Sequence, residues 1–256
     1  MLVIPGAAPH GRNTADGDPE QRTVLAVGAH PDDIELGCAG TLAAHVDAGD
    51  RVVMLVMSAG ERGPGATVAQ RRAEQSLAAR IIGAELYWGD FPDGRIPDGA
   101  DTIGTVERLL AETAPDVVYV HAPEDSHQDH RAVSRAVESA AREVRTLLFY
   151  ESPTGLGFTP TVFVDVAGTA RRKLSALKAH ASQVAASRRV DLRAVEALMH
   201  VRGAQARCSH AEGFAARRLV LPTAVPAAPG RAVRTDSCSR LAELSAIGTV
   251  VRPSIG

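Results

Sequence analysis

Two hydrophobic patterns take turns along this chain. Short apolar runs over 23–27, 51–57, 85–88, 116–120, 145–150 and 161–166 read as buried strands, each bounded by turn-forming residues. Between them lie longer stretches with apolar positions three and four residues apart, which predict helices over 34–48, 69–82, 102–113, 129–143, 168–183 and 192–205. In 102–113, for example, Ile103, Val106, Leu109 and Leu110 share one helical face. The first helix keeps a face of small residues, Gly37, Ala39, Gly40, Ala43 and Ala44, suited to close packing on a sheet, and Gly49 is a natural end cap. A weaker signal at 219–221 predicts a closing strand. Regular alternation of strand and helix predicts an α/β fold: a Rossmann-like, doubly wound, mostly parallel sheet with helices on both faces, followed by a C-terminal α+β extension.

The same pattern sets the expected organisation. Residues 1–22 are rich in Pro, Gly, Asp and Arg without periodicity and read as a flexible arm. Residues 23–221 form a single domain, and 222–256 is a tail to which the pattern assigns no element. A chain of 256 residues with 45% hydrophobic residues has enough apolar material for one substantial core. A net charge of −2 with no basic stripe gives no footprint for a nucleic acid or an anionic membrane. Three cysteines, Cys38, Cys208 and Cys238, without C-x-x-C spacing, indicate neither a disulfide framework nor a cysteine metal site. The N-terminus carries no signal-peptide pattern, and the longest apolar run is far too short to span a bilayer. A cytoplasmic protein without membrane insertion is expected.

Chemistry concentrates in two loops. The first strand runs into His30-Pro31-Asp32-Asp33, and the strand over 116–120 opens into His121 and then His127-Gln128-Asp129-His130. In an open doubly wound sheet, ligands bind beyond the carboxyl ends of strands where the strand order reverses. If these two strands are neighbours across that reversal, the loops face one another. His30, Asp33 and His130 then make a three-ligand set of the kind that holds a hydrolytic zinc. Asp32 is left as a general base beside the activated water, and His127 reaches the same cavity. Asp129 is placed to orient a neighbouring imidazole. Taken alone, Asp32 or Asp33 also fits a helix cap, as does Asp129, and His121 reads as a loop histidine rather than a ligand.

With those residues in view, the sequence resembles the LmbE-like, or PIG-L, family of zinc-dependent N-acetylglucosamine deacetylases. The resemblance rests on His30-Pro31-Asp32-Asp33-Ile34-Glu35-Leu36-Gly37 with Gly40-Thr41, and on His127-Gln128-Asp129-His130-Arg131. Supporting stretches are Gly60-Glu61-Arg62-Gly63, Arg71-Arg72-Ala73-Glu74, Pro92-Asp93-Gly94, Ala179-His180-Ala181-Ser182-Gln183 and Ala211-Glu212-Gly213-Phe214. It implies one zinc per chain on His30, Asp33 and His130, with Asp32 as base and later acid. It implies that a protonated His127 helps hold the oxyanion with Asp129 behind it, and that Arg71 contacts substrate or stabilises charge. The implied reaction is hydrolysis of the N-acetyl or other N-acyl amide of a glucosamine unit on a small-molecule glycoconjugate. Teicoplanin-type glycopeptides and mycothiol-like sugar-thiol precursors are the expected substrates. The competing reading is a non-catalytic metal- or nucleotide-sugar-binding module on a Rossmann-like edge; no G-x-G-x-x-G or G-K-[ST] accompanies it.

Overall fold

The computed structural model describes residues 2–4, 21–63, 65–185 and 190–220. In chain order the elements are β1 (Leu2–Ile4), β2 (Thr23–Gly28), α1 (Asp33–Asp47), β3 (Arg51–Ser58), α2 (Val68–Ile82), β4 (Glu85–Phe91), α3 (Ala100–Thr113) and β5 (Val117–His121). They continue with α4 (Gln128–Ala140), β6 (Thr146–Tyr150), β7 (Val162–Asp165), α5 (Ala170–Ala179), α6 (Ala181–Ala185), α7 (Leu192–Ala206) and β8 (Ala211–Arg218). One eight-stranded sheet has the order β1-β7-β8-β6-β5-β2-β3-β4. All pairings are parallel except those of β8, which runs antiparallel to both β6 and β7. The sheet is doubly wound, mostly parallel and Rossmann-like, as the pattern predicts. Because strand residues alternate sides, each face collects its own apolar cluster: Val24, Ala26 and Met54 on one, Leu25, Val27 and Leu55 on the other.

Three local expectations need correction. Leu2–Ile4, read as part of a flexible arm, form a strand parallel to β7, with Leu2 opposite Val162; the other arm residues outside the description are 1 and 5–20. The closing strand lies at Ala211–Arg218, not 219–221. Its composition hides it, since Glu212 and Gly213 are poor strand formers, yet neighbours on both sides satisfy its backbone and override that preference. The single helix expected over 168–183 is two, α5 and α6, broken at His180 (ψ 56). The tail and Cys238 lie outside the described residues. Among those described, no helix is long and apolar enough to cross a membrane.

The chain begins its main winding at β2, proceeds outward through β3 and β4, then returns to β5 on the other side of β2. The reversal therefore falls between β2 and β5, which pair directly. The carboxyl ends of these two strands carry the two histidine loops.

Helix α1 leaves this crevice with an interruption that matters to it. Cys38 has non-helical torsions (φ −148, ψ 15), so hydrogen bonds of the helix ladder are lost around it. The buried Glu212 carboxylate accepts from the Gly40 and Thr41 amides at 3.0 and 2.7 Å and from the Thr41 hydroxyl at 2.6 Å. Lys173 donates to the Leu36 carbonyl at 2.7 Å and to Glu212 at 2.6 Å. The pair thus restores, from β8 and α5, partners that the break removes. Gly37 lets the helix lie on the sheet, because a Cβ there would enter the Tyr150 ring.

Candidate active site

The turn after β2 is conformationally costly. Asp32 has φ 87, a left-handed torsion that an aspartate adopts at a cost of order 1–3 kcal/mol. It occupies the N-cap position of α1 but makes no side-chain cap bond, so capping is not its role. Two residues one helical turn apart on α2 hold the strained peptide. Arg71 donates to the Pro31 carbonyl at 3.0 Å and to the Asp32 carboxylate at 3.3 Å. Gln75 accepts the Asp32 backbone N–H at 3.3 Å and donates to the buried Glu35 carboxylate at 2.7 Å. Gly60 permits this, since a Cβ there would come within 2.7 Å of the Arg71 guanidinium. Burial first, and then the adjacent Asp33 charge, push the Asp32 carboxyl up to about 6.

Asp33 turns the other way, into a nest of imidazoles. Its Oδ2 accepts the His30 backbone N–H at 2.7 Å. The same oxygen lies 3.2 Å from His30 Nδ1, 3.3 Å from His121 Nε2 and 3.4 Å from His130 Nε2. The far nitrogens of two of these rings are held by carboxylates. His30 Nε2 meets Asp93 at 3.1 Å and Asp129 at 3.2 Å. His130 Nδ1 meets Asp125 at 3.0 Å. Carboxylates on the far nitrogen fix ring orientation and raise basicity at the near one, the arrangement found around metal-bound histidines.

The electrostatics follow from this crowding. Burial opposes charge on His130, but Asp33 and Asp125 outweigh it and push its pKa up to about 9. Burial likewise opposes charge on His30, and its hydrogen bonds to Asp129, Asp33 and Asp93 overcome that, raising it well above the usual value. Asp33, though buried, is held well below the carboxylate range, chiefly by the charge of His130. The cluster draws positive charge toward Asp33, whether as protons or as a cation.

Three sets of side chains have ligand atoms mutually within 4.8 Å: His30 with His127 and His130, Asp33 with His121 and His130, and His30 with Asp93 and Asp129. The sequence-expected set of His30, Asp33 and His130 bridges the first two. His121, set aside in the sequence as a loop residue, lies fully buried against it, stacked on His130 with ring centroids 3.9 Å apart. Its Nε2 accepts the Ala29 N–H at 3.1 Å, and burial together with the His130 charge lowers it to about 4. It is a neutral ring whose lone pair is already engaged. Asp93 and Asp125 also belong to the cluster. Pro92-Asp93-Gly94 stood out as a motif, but nothing in the sequence says which histidine Asp93 meets.

Two expectations about the second loop change. Asp129 does not back His127. Its carboxylate accepts from Gly94 at 2.7 Å and Ile96 at 3.4 Å and faces His30. Nor does Asp129 cap α4 with its carboxylate: His127 is the N-cap, its Nδ1 accepting the Asp129 backbone N–H at 3.2 Å. That bond leaves the ring proton on Nε2. Burial, and then the charges of His130 and His30, lower the His127 pKa.

The basin above these residues has a volume of about 590 Å³. Asp32, Asp33, Arg71, His127 and His130 line it, with Arg62, Gln128 and Gln183 as further polar wall. His180 and Glu212, which the motifs singled out, lie elsewhere: His180 is buried 3.6 Å from Glu35, and Glu212 repairs α1.

Residues 25–141 match the family model described as PIG-L: GlcNAc-PI de-N-acetylase. The chain is 37% identical over 172 residues to "Uncharacterized deacetylase YaiS" of Escherichia coli (strain K12), covering 64% of this chain and 92% of that one. It is 23% identical over 206 residues to 4-oxalmesaconate hydratase of Pseudomonas putida, covering 69% and 80%. Among solved structures, the conserved protein TT1542 from Thermus thermophilus superposes with a TM-score of 0.72 at 27% identity, over 82% of this chain and all of that one. With the doubly wound sheet and its paired histidine loops, these matches identify the chain as a member of the PIG-L, or LmbE-like, deacetylase family.

Proposed function

We propose that this protein hydrolyses the N-acyl amide of a glucosamine unit on a small, soluble glycoconjugate, with one zinc ion held by His30, Asp33 and His130. Glycopeptide antibiotics and sugar-thiol precursors are the substrate classes proposed, and the cytoplasm the proposed location. The observation that carries the reading is the Asp33 carboxylate, with His30 Nδ1 at 3.2 Å and His130 Nε2 at 3.4 Å, both rings steadied from behind by carboxylates. That donor set, of two imidazoles and one carboxylate, suits a hydrolytic zinc.

A bound zinc supplies Lewis acidity, lowering the pKa of water and polarising a carbonyl. Asp32, raised to about 6 and braced by Arg71, takes the proton of the attacking water and returns it to the departing amine. As the carbonyl carbon becomes tetrahedral, His127 Nε2–H donates to the developing oxyanion, a contribution of roughly 3–4 kcal/mol for one well-placed donor. Arg71 acts as the brace of the base more than as a sugar ligand, since its guanidinium donates to Pro31 and Asp32. The relative named 4-oxalmesaconate hydratase raises addition of water to a polycarboxylate as another reading. Against a polycarboxylate here stand Asp32, Asp33 and Asp93, all on the basin wall.

The test pairs metal content with amine release from N-acetylglucosamine glycosides. Asp32→Asn is expected to keep about one zinc per chain and to lose at least ~10²-fold in turnover. His30→Ala is expected to lose both. Wild-type turnover in Asp32→Asn would remove it as the base; wild-type metal content in His30→Ala would remove the ligand set.

A further inference from the structure

A second cavity of about 270 Å³ shares Leu36, Ser152 and Pro153 with the catalytic basin. Its walls include Leu156, Phe158, Val195, Leu198 and Met199. Leu156 is 86% exposed and Leu198 38%, a pair of large apolar side chains left in water at its mouth. Four charged residues also line it, and each is already paired. Arg202 and Glu151 form a two-pronged ion pair at 2.5 and 2.9 Å. Lys173 and Glu212 satisfy one another and the broken α1. No charge there is left for an ionic ligand, so the cavity recognises apolar surface by burial.

Strand order says which part of a substrate reaches it. Along the sheet the sequence is β6-β5-β2-β3-β4. Ser152 and Pro153 follow β6, whereas Arg62 follows β3 and Gly94 follows β4. His30, Asp33, His127 and His130 come from the loops after β2 and β5 and therefore sit between the two sides. The amide group is planar and trans, so the two substituents of a scissile amide project in opposite directions from its carbonyl. A glucosamine seated against Arg62 and Gln128 of the basin would send its acyl group past Leu36 and Pro153.

We propose that this second cavity is an acyl-chain subsite, and that the preferred substrates carry an N-acyl chain longer than acetyl on the glucosamine. The inference rests on the amidase reading above. It assigns the apolar cavity to the acyl side of the bond and leaves the polar basin to the sugar.

The experiment measures kcat/KM for amine release from methyl glucosaminides carrying N-acetyl, N-butanoyl, N-hexanoyl and N-octanoyl groups. A parallel series keeps N-acetyl and lengthens the glycosidic alkyl group. The expected result is a gain of roughly fourfold per methylene buried in the acyl series until the cavity is full, with a flat glycosidic series. The double variant Leu156→Ser, Leu198→Gln should cut the octanoyl-to-acetyl ratio severalfold. A flat or falling acyl series, or a ratio untouched by the double variant, overturns the assignment while the amidase reading stands. A gain confined to the glycosidic series gives the cavity to the aglycone instead and also overturns it. No amine from any member, in protein carrying its metal, removes the amidase reading and this inference with it.

Discussion

His127 caps α4 with one ring nitrogen, and the oxyanion role proposed for the other is separable from it. Nδ1 caps α4 by accepting the Asp129 amide, and Nε2–H faces the basin. Asn is a good N-cap but has no group that reaches as far as Nε2. His127→Asn should therefore unfold within about 0.5 kcal/mol of wild type while kcat falls ~10²–10³-fold. His127→Ala should show the same loss of kcat and an additional ~1 kcal/mol of destabilisation in urea. Equal kcat in His127→Asn and wild type would remove the oxyanion role. Asp129 admits a similar separation. Asn at 129 keeps one oxygen to accept from Gly94, gives up the longer bond from Ile96 and no longer presents a charge to His30. Asp129→Asn is expected to weaken zinc binding by ~10–100-fold in competition with a chelator. A loss of turnover with metal affinity unchanged would place Asp129 in the chemistry rather than behind the ligand.

At the scale of elements, the catalytic turn depends on helices that are not next to it in sequence. Arg71 and Gln75 on α2 clamp the strained Pro31-Asp32 peptide, and Glu212 on β8 with Lys173 on α5 repairs the break in α1. These two devices hold the same helix at its start and at its middle. Removing the Glu212 carboxylate leaves the Gly40 and Thr41 amides without that acceptor and the Lys173 ammonium with the neutral Leu36 carbonyl as its acceptor and its buried charge uncompensated. Glu212→Ala should cost ~3–5 kcal/mol by urea unfolding, the range for breaking a buried ion pair. Lys173→Met with Glu212→Gln should recover part of that, since the charge mismatch is gone. A Glu212→Ala protein as stable as wild type would mean that α1 closes its own break. The motif around Glu212 is visible in the sequence, but its partner is not: Glu212 and Thr41 are 171 residues apart.

For the whole molecule, a buried polar network ties together the end of the sheet remote from the site. Arg22, before β2, donates to Asp50 at 2.6 Å; His45 of α1 meets the same carboxylate at 2.7 Å and the Tyr119 hydroxyl of β5 at 3.0 Å. Burial opposes the Asp50 charge, and the bonds from His45 and Arg22 overcome it, holding its pKa below the ordinary value. A depressed carboxyl pKa stabilises the fold above the unfolded-state value near 4, and that contribution is lost as pH falls through the lower folded value. Asp50→Asn should therefore be less stable than wild type by ~1–3 kcal/mol at pH 7. The gap should narrow as pH falls below about 4. A gap that stays constant across that range would show that the charge is not what Asp50 contributes.

Local pattern was enough for much of this protein. Apolar runs and helical spacing locate the sheet and its helices because each element must turn a continuous apolar face inward, and that requirement is written in residues close together in the chain. The two histidine loops are legible for a related reason: a doubly wound sheet brings the ends of β2 and β5 to one edge, so strand endings alone place His30-Pro31-Asp32-Asp33 beside His127-Gln128-Asp129-His130. What the chain could not say locally is which atom meets which. Asp129 and His30 are 99 residues apart, and His127 carries its proton on Nε2 only because Nδ1 is spent on a helix end. β8 was hidden for the same kind of reason. Ala211–Arg218 has little strand character of its own and becomes a strand because β6 and β7 each supply a row of partners. Periodicity is a property of neighbours in sequence, so it decides elements; hydrogen-bond partners are neighbours in space, so only the folded chain decides them.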